Sequence, residues 1–60
     1  MKFKVNDVAV MVYLDITTAQ IGEYSHVRIL KIEGKDILIE NSQGVQAWVT
    51  EDYLEEVGDD

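Results

Sequence analysis

Two glycine-bearing turns, at Gly34-Lys35 and at Asn41-Ser42-Gln43-Gly44, constrain this chain more than any other feature. Each is flanked by residues that alternate apolar and polar, and a turn of defined length fixes which of them oppose each other. Gly34-Lys35 between Glu33 and Asp36 reads as a two-residue hairpin loop with glycine at its first position. That loop sets Ile32 against Ile37 and Leu30 against Ile39, all apolar. At the second turn, a left-handed Gly44 in a three-residue loop sets Asn41 against Val45, Ile39 against Ala47 and Ile37 against Val49. A two-residue loop would instead put Trp48 opposite Ile37 and turn Val49 outward. Both hairpins therefore select one buried face, and the second selects the three-residue loop.

Strand period extends on both sides of this core. Val8, Val10 and Val12 share one face and Ala9, Met11 and Tyr13 the other, with the three valines expected inward. Leu14 to Glu23 mixes Asp15, Thr17, Thr18, Gln20 and Gly22 and reads as a loop or irregular ribbon. From Tyr24 to Ile32 the inward set begins at Val27 and Ile29 and switches parity to Leu30 and Ile32. A slip of one residue is the mark of a β-bulge, which bends a strand sharply. Thr50-Glu51-Asp52 reads as a helical turn with Thr50 as its cap, followed by a closing strand from Tyr53 to Val57. Tyr53, Leu54 and Val57 also fit a two-turn helix over residues 50–57; the short turn and strand is the preferred reading.

Strand, long loop, bent strand, two hairpins, helical turn and last strand are the element order of a five-stranded Src-homology-3-like barrel. Val5-Asn6-Asp7-Val8-Ala9-Val10 resembles the "V-G-D-x-V" opening of many such barrels, with Asn6 in place of the usual glycine. Asparagine tolerates the same turn geometry. Gly22, Val27 and Ile29, Ile37-Leu38-Ile39-Glu40, Gly44 and Leu54-Glu55-Glu56-Val57 continue the likeness. The resemblance implies one all-β domain over residues 1–57, with 58–60 as a frayed acidic end. It names an architecture shared by Tudor and KOW domains, peptide-binding adaptors and a reductase, so it implies no single function.

Composition narrows the function classes. The chain has no cysteine and one histidine, His26, which leaves no disulfide, thiolate site or imidazole pair. A domain of this size has a marginal core, so good packing or self-association has to supply its stability. The longest apolar run, Val8 to Leu14, is too short to cross a membrane and lacks a signal peptide's flanks. With Met1 at the start and no targeting segment, the expectation is a cytoplasm, a cell's own protein or a virus's.

Net charge is −7 and unevenly spread. Lys2, Lys4, Arg28, Lys31 and Lys35 nearly balance the acids of residues 1–35, whereas residues 36–60 carry only acids. Such a field repels phosphate backbones and attracts basic partners. Direct nucleic-acid binding is therefore not expected, and Arg28 is expected to pair with Glu40 on the neighbouring strand. Glu51, Asp52, Glu55, Glu56, Asp59 and Asp60 form either a solvated face or a row of phosphate-like charges that mimics DNA in a basic groove.

The register points Lys31, Leu38 and Trp48 outward in one row, and Met11 and Tyr13 share the non-core parity of their strand. These five residues are the candidate partner-binding face, because tryptophan and tyrosine are enriched as interface anchors. The alternative is that Trp48 covers a second, smaller core under the long loop. A partner protein or a second copy of the chain is the expected occupant of the face.

No catalytic residue, metal or cofactor is expected. Ser25 and His26 are adjacent on a strand and point to opposite faces, which does not suit a nucleophile and its base. No spaced calcium loop is present. Val45-Gln46-Ala47-Trp48 with Leu54-Glu55 resembles the "V-Q-x-Y … L-E" segment of plasmid-borne type II dihydrofolate reductases, which are tetrameric barrels. That likeness would place Gln46 and Trp48 in a substrate pore, but tryptophan replaces tyrosine and no lysine follows Val10. The expected function is a non-catalytic, acidic protein-interaction module, either an adaptor or a small inhibitor.

Overall fold

A computed structural model of the chain describes residues 2–16 and 18–57. The frayed end expected at 58–60 lies outside the described residues. The chain is all-β: β1 (Val8–Met11), β2 (His26–Glu33), β3 (Asp36–Asn41), β4 (Gln46–Val49), a 3-10 turn (Glu51–Tyr53) and β5 (Leu54–Glu56). The strands form one antiparallel sheet in the order β4-β3-β2-β1-β5. The C-terminal segment is thus a turn and a strand, not a two-turn helix. Thr50 occupies the cap position in extended conformation, but its side chain makes no capping hydrogen bond. Among the described residues no helix is long and apolar enough to cross a membrane.

Both hairpins close as their turn residues dictate. Gly34 has a φ of 61° and Lys35 is not left-handed, the pattern of a turn that needs glycine at its first central position only. Gly44, at 85°, supplies the left-handed residue of the second loop. There the Asn41 side chain accepts the backbone N–H groups of Gln43 and Val45, both at 2.9 Å, while its own N–H donates to the Val45 carbonyl. The register is the expected one: Ile37 opposes Val49, Leu38 opposes Trp48 and Ile39 opposes Ala47.

The bulge is present and displaced by one step from the expected pairing. Ile29, not Leu30, opposes Ile39, and the next pair is Lys31 with Leu38. Leu30 is the extra residue, and it is half-buried. Ile29 is pinned from the other side by the N-terminal turn: Asn6 donates to its carbonyl at 2.7 Å and its N–H donates to Asp7 at 2.9 Å. Asn6 takes a φ of 79°, the glycine-like conformation its position requires.

One face of β1 is the reverse of expectation. Ala9 and Met11 are fully buried, whereas Val8 is exposed and Val10 half-buried. Hydrophobicity could not decide between them, because Val8 to Leu14 is apolar on both faces. Register decides it. Ala9 pairs with Val27, which faces the core, while Val8 and Val10 pair with Arg28 and His26, which face out. The compact Ala9 and the adaptable Met11 fill the interior, and the branched valines fit the outer pleat.

The core joins Ala9, Met11, Val27, Ile29, Ile37, Ile39, Val49 and Leu54 with Phe3 and Ile21 from outside the strands. Thr18 is also fully buried, and its hydroxyl donates to an Asp15 carboxylate oxygen at 3.1 Å. The N–H of Asp15 donates back to the Thr18 hydroxyl at 2.9 Å. These reciprocal bonds give the long connection between β1 and β2 a fixed inner turn.

Candidate functional site

The outer face of the sheet is built in rows by the register. Lys31, Leu38 and Trp48 are cross-strand neighbours on β2, β3 and β4. Lys31 is exposed and forms an ion pair with Glu33 at 2.9 Å, a surface contact of small energetic weight. Leu38 is half-buried, and Trp48 leaves 48% of its surface open. Trp48 lies outside the buried core cluster.

A second row runs alongside through Val8, Arg28, Glu40 and Gln46. Arg28 and Glu40 are opposite each other as expected, but each bonds elsewhere. The Arg28 guanidinium donates to the Asn6 carbonyl at 3.3 Å, and Glu40 accepts from the Gln46 side-chain amide at 3.2 Å. The face around Trp48 therefore mixes charged and amide side chains with the apolar surface of Val8, Leu38 and the indole.

Met11 does not belong to this face. It is a core residue, since its backbone pairs with Ser25 and Tyr24 and its side chain follows Ala9 inward. Tyr13 is exposed, but it stacks edge-on against Tyr53 with ring centroids 5.0 Å apart. The Tyr53 hydroxyl donates to Asp15 at 2.6 Å. That hydrogen bond raises the Tyr53 pKa above the ordinary tyrosine value, with burial and the Asp15 charge adding to it. Tyr13, Asp15 and Tyr53 thus make a polar-aromatic cluster of their own.

The acidic residues fall on the last two elements. Glu51 is half-buried and accepts the Lys2 backbone N–H at 3.4 Å, while Asp52, Glu55 and Glu56 are exposed. Asp59 and Asp60 lie outside the described residues. Glu55 opposes Val10, and Glu56 opposes Ala9 at the rim of the core. Ser25 donates its hydroxyl to the Ile21 carbonyl at 2.8 Å, and His26 is exposed across from Val10. Among the described residues no three histidine, aspartate or glutamate side chains come together as a metal site needs. No protein-family model, curated protein or solved structure matches the chain.

Proposed function

We propose that this chain is a non-catalytic protein-interaction module of a cytoplasm that docks a partner protein through Trp48, with Leu38 and Lys31 beside it. The observation that carries this reading is the half-open tryptophan on a strand whose register is fixed by two turns. Tryptophan in such a setting brings large contact area at low entropic cost. A Src-homology-3-like barrel, left partly open because β4 and β5 lie at opposite ends of the strand order, is part of the same proposal. The edge strands β4 and β5 are joined only by residues 50–53, and both Val49 and Leu54, on either side of that link, are buried. A second reading, mimicry of DNA, draws support from Asp52, Glu55 and Glu56 being exposed on one short stretch with no cation in residues 36–60.

The two readings separate in one experiment. Tagged chain and its Trp48→Ala variant are used to capture partners from a cell extract at low and at high salt. The docking reading expects a salt-stable partner that the variant loses, with roughly thirtyfold weaker binding for an anchor worth about 2 kcal/mol. A basic, nucleic-acid-handling partner that salt removes and Trp48→Ala retains would instead support mimicry.

A further inference from the structure

The antiparallel ladder between β3 and β4 determines which backbone groups of β4 are in use. The bond from the Asn41 N–H to the Val45 carbonyl marks that pair as a bonded one. Bonded and non-bonded pairs alternate, so Ile39 with Ala47 and Ile37 with Val49 are bonded. Gln46 and Trp48 fall at the non-bonded positions, and their N–H and C=O groups point away from β3. β4 ends the sheet on that side. Its sequence, Gln46-Ala47-Trp48-Val49, is short but carries neither charge nor proline, two of the usual protections of such an edge.

From this geometry we infer that the β4 edge accepts an added strand, supplied as an extended segment by a basic partner protein. The segment presupposes the docking role of Trp48 proposed above and specifies what is docked. Its backbone bonds to Gln46 and Trp48, and the residue opposite Trp48 shares the outer face with the indole and packs on it. Alternate residues share the face of Val45 and Ala47, both half-buried at this edge. Charge selects the occupant. Glu40 flanks Gln46 on the outer face, and a cleft of about 280 Å³ beyond the end of β4 is lined by Thr50, Glu51 and Asp52 together with Lys35. A lysine or arginine at that end of the segment meets two carboxylates against one ammonium. A second copy of this chain would bring its own net charge of −7 to the same edge and is disfavoured as the occupant.

The test is amide hydrogen exchange by NMR on the labelled chain with three synthetic peptides. The first alternates valine and threonine between terminal lysines, the second carries glutamates in place of the lysines, and the third is the lysine peptide N-methylated at alternate amides. The expected result is slowing of exchange at the Gln46 and Trp48 amides by about tenfold or more with the first peptide and none with the others. Gln46→Ala keeps that protection. Gln46→Pro abolishes it, because the ring removes an edge donor that β3 does not use.

Equal binding of the N-methylated peptide, lost in Trp48→Ala, would leave the docking face standing and overturn strand addition. Protection that survives Trp48→Ala unchanged would leave the edge standing and overturn the tryptophan anchor. Protection of Gln46 and Trp48 in the chain alone, rising with its concentration, would make a second copy the occupant and overturn the basic segment. Absence of any protection by the lysine peptide would overturn the inference outright.

Discussion

The two ends of the sheet differ in how they meet solvent. β5 is short, and its one buried residue, Leu54, is followed by Glu55 and Glu56. Glu56 shares the parity of Leu54, so a charge sits on the core side of the edge where an incoming strand would have to bury it. β4 at the other end is uncharged and carries an exposed tryptophan. Among the described residues the two edges thus differ in kind: β5 carries a carboxylate on its core-side parity, and β4 carries an open indole and no charge.

Four substitutions and a titration bear on that contrast, beginning with the largest effect. Leu54→Ala should cost about 2–5 kcal/mol, since Leu54 is the buried anchor of β5, and should unfold so small a domain. Chemical denaturation followed by circular dichroism reads this directly, and a stable variant would mean that β5 is dispensable. Trp48→Ala should cost folding only about 1 kcal/mol or less, because half of the indole is open. A loss as large as that at Leu54 would move Trp48 into the core and erase the difference between the edges.

Gly44→Val should destabilise by about 1–2 kcal/mol. No atom within 4 Å would meet the new side chain, so the cost is one of left-handed backbone alone. Unchanged denaturation would make the loop before β4 something other than the three-residue turn described. Glu56→Val should change folding by no more than about 0.5 kcal/mol while removing the guard on β5. Sedimentation should then show stronger association than the parent at the same concentration; no increase at any concentration would deny Glu56 a protective role.

The pH dependence involves neither edge and sets a baseline for both. Tyr53 has a raised pKa, chiefly from its hydrogen bond to Asp15. Its contribution is complete below the ordinary tyrosine value and is lost as pH rises through the higher folded one. Melting curves in the alkaline range should therefore fall more steeply for the parent than for Tyr53→Phe. Parallel curves would show that the hydroxyl and Asp15 do not interact in solution.

How far the sequence foretold all this differs from strand to strand. β3 and β4 were legible because each alternates cleanly, and β2 because it alternates on either side of one slip, so turn length and hydrophobic face had one common solution. The bulge followed from the same alternation, although Ile29 and not Leu30 is the residue that meets Ile39. β1 defeats the same logic, since a strand apolar on both sides has no readable parity, and Ala9 and Met11 rather than the valines turn inward. The site was legible where it depends on the hairpins, as at Lys31, Leu38 and Trp48. The cluster of Tyr13, Asp15 and Tyr53 was not, because it joins residues 38 apart in the chain. Its local half, aspartate three residues before threonine, is a recognisable side-chain-to-backbone motif.

The pairing of β5 with β1 bears on how the domain comes into being. β2, β3 and β4 are neighbours in sequence and in the sheet, and their contacts form across short loops. Ala9 to Met11, by contrast, must wait for Leu54 to Glu56 before their second flank is covered. Distant pairings of this kind slow folding, because loop closure precedes any reward. During folding the meander of β2, β3 and β4 can assemble while β1 still has an open flank. Arrival of Leu54 to Glu56 then decides whether that flank meets its own strand or another chain's.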